Sequence, residues 1–289
     1  MDIIKVFQRF PDHESCIEHL EKVRWADDPE CPFCRSTQVA RKADGERVGR
    51  WNCHACHNSY NVLHGTIFQG TKVPLQKWFL AISIVLNAKK SLSSCQLARD
   101  LDMVQSTAWR LAMKIRNGMV TDSALLTGIV EADETYIGGK PRKGNNTKPR
   151  GKNPRGRGTK KLPVLGAVER GGKVSAQPTP RVTAKTLKAF LTRRVSSDAL
   201  LMTDQLPAYG RMGDWIRHAT VDHGKCYVEG ITHVNTIEGF WALLKRALFG
   251  QHHHYTTRHA AAYVAEACYK YNIRRNENAF GDFIQATVS

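Results

Sequence analysis

Apolar positions recur every three or four residues from 74 to 119 and then, from 128, fall into alternation and short continuous runs. That change of period, from about 3.6 to 2, predicts helices followed by strands. "PLQKWFLAISIVLNA" (74–88) reads as a buried helix, its apolar run too short to cross a bilayer. In "SLSSCQLARDLDMVQSTAWRLAMKIRNGM" (91–119), Leu97, Ala98 and Leu101 share one apolar face. A break falls at Asp102 and Met103, and Ala108, Leu111, Ala112 and Ile115 turn a second helix inward. The pattern is helix, short turn, helix. Beyond it, "GIVEADETYIG" (128–138) puts Ile129, Glu131, Asp133 and Thr135 on one side of a strand and Val130, Ala132, Glu134 and Tyr136 on the other. Further strands are predicted at 162–170, 174–180, 199–204 and 218–223, a helix at 183–195, and an amphipathic helix in "HVNTIEGFWALLKRALFG" (233–250). In this last helix Ile237, Phe240, Trp241, Leu244 and Leu248 face inward, and Asn235, Glu238 and Lys245 share the opposite stripe. A closing amphipathic helix ends near "CYKYNIRRNEN" (268–278) and is expected to pack on the sheet.

The period does not explain the cysteines. "CPFCRSTQVARKADGERVGRWNCHAC" (31–56) holds two C-x2-C pairs eighteen residues apart, with a turn at Asp44 and Gly45 between them. Two such pairs complete a tetrahedral thiolate site, so Cys31, Cys34, Cys53 and Cys56 are expected to bind one structural Zn²⁺ in a zinc ribbon. "CHACH" also matches a haem-attachment pattern, but the second pair at ribbon spacing favours zinc. Cys16, Cys95, Cys226 and Cys268 have no such partners and read as buried or idle thiols.

Charge narrows the partner. The formal net charge is +17, and residues 140–161 carry ten Lys and Arg and no acid. Such a field draws polyanions, nucleic acid first among them. Lys143, Arg150, Arg155 and Arg157 in this Gly- and Pro-rich loop are candidate phosphate contacts, as is Lys245. On the second helix of the pair, Gln105, Ser106, Arg110 and Lys114 point outward, a mixture able to contact base edges and phosphates. A helical hairpin with a solvated basic face fits the same pattern. The start of the chain lacks a charged and then apolar leader, and the expectation is a soluble, cytoplasmic protein with no membrane partner.

Acids stand out against this background. Asp133 lies on the first long strand, Asp204 ends a short apolar strand in "LMTDQLPAYG", and Glu238 lies on the helix after the last strand. Three carboxylates from two strands and a helix are what two Mg²⁺ or Mn²⁺ ions need for in-line phosphoryl displacement. Glu134 is the rival of Asp133, placed second because it falls on the other strand face, and Glu131 shares the face of Asp133 one step deeper. Asn235 followed three residues later by Glu238 also fits a capping box, which would explain both without chemistry.

With "EADETYIGGK", "LMTDQLPAYG", "NTIEGFWALLKRAL", the "CPFC…CHAC" ribbon and "HGTIFQGTKVPLQKW" (64–78), the chain resembles transposases of the insertion-sequence 1595 family over nearly its whole length. The resemblance implies a multidomain α+β protein: an N-terminal helical segment (1–25), a zinc ribbon (26–65), a helix-turn-helix DNA-binding region (66–122) and a catalytic domain (123–289) with the basic loop 140–161 inserted. It implies that the catalytic domain is α/β and ribonuclease-H-like, a mixed five-stranded sheet flanked by helices. It also implies a DDE site of Asp133, Asp204 and Glu238 as metal ligands with Asn235 beside them, DNA cleavage at transposon ends, strand transfer into target DNA, and a homo-oligomer on DNA. A DNA-binding regulator with an inactive core and another ribonuclease-H-like nuclease are the alternatives.

Overall fold

A computed structural model describes residues 2–26, 28–42, 48–120, 124–138, 161–205, 207–210, 212–221, 233–254 and 256–288. The turn expected at Asp44 and Gly45, the thiol Cys226, and the candidate phosphate contacts Lys143, Arg150, Arg155 and Arg157 lie outside the described residues. Two compact units form, one from Met1–Met119 with Arg275–Ser289 and one from Val120–Arg274.

The first unit opens with α1 (Ile3–Arg9) and α2 (His13–Trp25), each started by an aspartate. Asp2 accepts the Lys5 N–H, and Asp12 and Ser15 cap each other reciprocally, so helix donors that would otherwise lack partners are satisfied. The ribbon follows as an antiparallel sheet of β1 (Val39–Arg41), β2 (Arg50–Cys53) and β3 (Ser59–Asn61), in that order. It is tied to α2 by side chains: Glu21 accepts the Trp51 indole N–H at 2.8 Å and pairs with Arg41, and Arg24 donates to the Val62 and His64 carbonyls. Trp25 meets Trp51 and Tyr60 edge to face.

The four ribbon cysteines converge, with all their sulfurs within 4.8 Å of one another and the Cys31–Cys56 and Cys34–Cys53 pairs 3.6 Å apart. Sulfurs at tetrahedral corners around zinc would stand roughly 3.8 Å apart for Zn–S bonds of about 2.3 Å, so this set fits the ion. Hydrogen bonds from the backbone N–H and then the side chain of Asn58 pull the Cys56 thiol down to about 6. Although the Ser36 backbone N–H favours its thiolate, the sulfurs around Cys34 push it up to about 12. Sulfurs this close resist joint ionisation until a cation joins them. His64 stacks on Phe33 and stands outside this set, a packed loop residue.

Helices α3 (Leu75–Asn87), α4 (Ser94–Asp100) and α5 (Gln105–Gly118) complete the region, with Asp102 in the turn at φ 46°. Leu97, Ala98, Leu101, Ala108, Leu111, Ala112 and Ile115 are all buried, as their spacing predicts. The carboxyl-terminal end differs from expectation. Residues beyond Arg274 do not close the 123–289 domain: α9 (Ala279–Val288) packs on α2, α3 and α5. Its Phe280 stacks with Phe10 and Phe79, and Gly118 gives it room, since a Cβ there would stand 2.9 Å from Thr287. An aromatic with two aromatic partners is better buried there than on a sheet already covered.

The second unit is a five-stranded mixed sheet. Its strands are β4 (Ile129–Ile137), β5 (Leu162–Glu169), β6 (Val174–Pro178), β7 (Leu200–Asp204) and β8 (Arg217–Val221), in the order β6-β5-β4-β7-β8. β4, β5 and β6 are antiparallel neighbours, and β7 and β8 join β4 in parallel. On one face α6 (Ala184–Arg194) packs through Leu187, Phe190 and Leu191 on Val130, Ala132, Leu165 and Ala167. On the other, α7 (Asn235–Ala247) and α8 (Thr257–Asn272) bury Ile237, Phe240, Trp241, Val264 and Cys268 against Ile137, Val164 and Val168. Among the described residues, no helix is long and apolar enough to cross a membrane.

Gly166 of β5 sets how closely α7 approaches. A Cβ there would stand 2.4 Å from Cη2 of Trp241, so the indole lies directly on the strand backbone. Gly166→Ala is expected to destabilise the second unit by about 1–3 kcal/mol through overpacking, read by denaturant unfolding followed on tryptophan fluorescence. In the ribbon, metal analysis of the purified chain should find one zinc, and Cys34→Ser should lower its retention against a chelator; equal retention would remove Cys34 from the ligand set.

Candidate active site

β4 carries the first two acids. Alternation along the strand turns Glu131 and Asp133 towards α7, while Val130 and Ala132 enter the core under α6. Glu134 follows their parity onto the α6 face, so the face assignment that separates it from Asp133 holds.

Parallel pairing then fixes the level of Asp204. Glu131 is opposite Met202, and counting two residues further along both strands brings Asp133 level with Asp204, at the carboxyl end of β7. Partners in parallel register point to the same face. On the opposite face Thr203 meets His218 Nε2 at 2.8 Å. The two aspartates therefore lie on adjacent parallel strands, each two residues past the last position paired between β4 and β7, and both are only partly buried.

α7 supplies the third acid. Its inward face is the one the sequence predicts, and Asn235, Glu238 and Lys245 are exposed on the other. Trp241 lies on Gly166 and donates its indole N–H to Asp133 Oδ2 at 2.9 Å. Burial first, and then the charges of Asp204 and of Glu238, push the Asp133 carboxyl up to about 6, against hydrogen bonds from the Glu134 backbone and Trp241. Two strands and one helix thus carry the three acids, and carboxylate oxygens suit a hard divalent cation.

The capping-box alternative is corrected by the structure. Helix α7 begins at Asn235, Val234 holds the N-cap position, and neither Asn235 nor Glu238 caps the helix with its side chain. Glu131 does so instead, from another element: Oε2 accepts the backbone N–H groups of Thr236 and Ile237 at 2.7 and 3.0 Å, and Oε1 the Thr236 hydroxyl at 2.8 Å. Arg170 completes the arrangement, with Nε 2.6 Å from Oε1 of Glu131 and Nη2 2.9 Å from the His233 carbonyl. The sequence reading placed Glu131 one step deeper on the face of Asp133 and Trp241 on the inward stripe of the helix without these roles, and it missed Arg170. One signal was present: a glycine inside the apolar strand "LPVLGAVE" marks a close approach.

The candidate DNA contacts fall in different surroundings. Arg110 is exposed on α5 beside Gln105 and Ser106. Lys114 is exposed but engaged, donating to the Gln69 carbonyl at 2.9 Å and lying over the Trp78 ring. Lys245 is exposed two turns beyond Glu238. Arg274 donates to the Gly172 and Tyr271 carbonyls and stacks on the Tyr271 ring. The histidines at 252–254 form no cluster: His252 stacks on Tyr263 and His253 sits at φ 55° in a π-type turn, Leu248–His252, and its exit.

Comparison with known proteins agrees with this division of the chain. Residues 125–272, just over half of it, match the ISXO2-like transposase domain, and residues 11–59 match the transposase zinc-ribbon domain. An uncharacterized protein in transposable element ISH50 of Halobacterium salinarum is 32% identical over 239 residues, 79% of this chain and 81% of that one. Among solved structures, a chain of the simian T-cell lymphotropic virus intasome in complex with PP2A regulatory subunit B56 gamma matches at 18% identity and a TM-score of 0.29, covering 61% of each chain. The Mos1 strand transfer complex matches at 12% identity and a TM-score of 0.28, over 73% of this chain and 78% of that one. TM-scores this low establish no shared fold. The two domain matches and the ISH50 relative do settle the family: this chain is a transposase of the IS1595 family.

Proposed function

We propose that this transposase cuts and joins DNA with Asp133, Asp204 and Glu238 as the ligands of two divalent ions, Mg²⁺ or Mn²⁺, and with Asn235 beside them. The observation that carries the reading is that Asp133 and Asp204 lie on the adjacent parallel strands β4 and β7, with Asp133 held by the indole of Trp241 on α7, the helix that also bears Glu238. Bound there, the ions would activate the attacking water or 3′-hydroxyl and stabilise the leaving oxygen. The chain's own residues orient and exclude. The Trp241 hydrogen bond fixes which Asp133 oxygen faces outward, and the apolar surface of Ile237 and Trp241 keeps water from beneath the site. A sheet of three antiparallel strands joined by two parallel ones supports the ribonuclease-H-like assignment.

DNA is held, in this reading, by both units. α5 presents Gln105, Ser106 and Arg110 outward in a pair of short-linked helices, the arrangement a helix-turn-helix offers to a major groove. We assign the terminal repeats of the element to this region and the ribbon, and the backbone near the acids to residues 140–161 and Lys245. Ten positive charges in 140–161 offset the repulsion between three carboxylates and DNA phosphates. Copies of the chain acting on paired ends complete the proposal.

Asp204→Asn is expected to lower cleavage and joining of terminal-repeat DNA about 10³-fold or more, because transition-state charge loses several kcal/mol of stabilisation, while DNA binding persists. If the unaltered chain binds the ends but neither cuts nor joins them with Mg²⁺ or Mn²⁺, a DNA-binding regulator replaces this reading. Cutting without joining would favour a nuclease. Replacing Arg155 and Arg157 by Ala should weaken binding to all DNA sequences alike and reduce the slope of log affinity against log salt by about 2, one for each phosphate contact removed.

A further inference from the structure

Glu131 has no exposed side-chain surface, lies two residues from Asp133 on the same strand face, and belongs to none of the three acids assigned above. Its oxygens are fully engaged. Oε1 accepts from Arg170 Nε at 2.6 Å and the Thr236 hydroxyl at 2.8 Å, with His233 Nδ1 at 3.2 Å, and Oε2 accepts the Thr236 and Ile237 N–H groups at 2.7 and 3.0 Å. A carboxylate offers about four lone-pair sites, so this one has none left for a metal ion. Arg170 balances its charge, which a buried carboxylate requires.

The partners show what the charge does. Thr236 and Ile237 open α7, and free N–H groups at a helix start are satisfied here by a side chain from β4. Glu238 is the next residue. Three residues later Trp241 makes the second attachment, to Gly166 by contact and to Asp133 by hydrogen bond. Glu238 therefore sits between two fixed points on one helical turn, both referred to the strand that carries Asp133. We propose that Glu131 is a positioning residue that sets the place of Glu238 relative to Asp133, and so the affinity of the acid cluster for its divalent ions. The inference rests on the metal-site reading above.

Two variants of the full chain separate reach from charge. Glu131→Asp keeps the charge opposite Arg170 but is one methylene too short to cap α7. Glu131→Gln keeps the length but points an amide N–H₂ where N–H groups already converge. Mn²⁺ binding, followed by electron paramagnetic resonance without DNA, is expected to weaken about 10- to 100-fold in both, the usual cost of losing a group that orients metal ligands. Amide hydrogen exchange over residues 234–241 should speed up alongside, with zinc content unchanged. Should both variants fold poorly, Thr236→Val, which deletes a single donor, is expected to weaken Mn²⁺ binding to a lesser degree, and Thr236→Ser to restore it.

Mn²⁺ binding unchanged while α7 loses protection would overturn the proposal. Binding as weak as in Asp133→Asn with α7 still protected would overturn it too, by making Glu131 a ligand. If the unaltered chain binds no Mn²⁺, the metal-site reading fails separately, and exchange alone decides: retained protection in Glu131→Asp would then refute the positioning role.

Discussion

A helix that covers one face of a sheet can slide and rotate unless something polar fixes it, because apolar contact is non-directional. In the second unit that fixing falls to β4. Its Glu131 caps the first turn of α7 and its Asp133 takes the Trp241 indole, so one strand holds one helix at two points. The core of Ile237, Phe240 and Leu244 then packs in a single register. The proposed site depends on this, since α7 is the helix that carries Glu238.

The site joins two kinds of constraint. Strand order puts Asp133 and Asp204 on adjacent parallel strands, each two residues beyond the pair Glu131 and Met202. Helix placement sets Glu238 through buried polar contacts, each of which would be costly if left unmade. Backbone pairing is hard to shift, and buried polar contacts admit only one arrangement. Burial is what chiefly raises the Asp133 carboxyl, and the charges of Asp204 and Glu238 add to it. The ribbon repeats the principle with sulfur: two turns deliver four thiols to one point, and α2 holds the sheet that carries them through Glu21 and Arg24.

Much of the fold was legible because its signals are local. Alternation in "GIVEADETYIG" separated the face of Asp133 from that of Glu134, and the period of "NTIEGFWALLKRAL" gave the buried side of α7. C-x2-C spacing gave the ribbon cluster, since a tight turn alone brings two sulfurs together. Three things were not legible. The capping pattern at Asn235 and Glu238 was a local match to a cap supplied from more than a hundred residues away. The contacts of Arg274 were not visible either, because its carbonyl partners at Gly171 and Gly172 lie about a hundred residues earlier in the chain. The carboxyl-terminal helix gave no sign that it belongs with α2, α3 and α5, because an amphipathic face does not name its partner.

The sequence by itself determined the helix pair, the strands of the sheet, the inward face of α7 and the four thiols from spacing along the chain, and the family from its motifs. Tertiary structure alone decided that Glu131 caps the helix α7 and which unit receives the last helix. The reason is physical: periodicity says which way a side chain points, but hydrogen bonds and burial depend on what arrives from elsewhere in the chain.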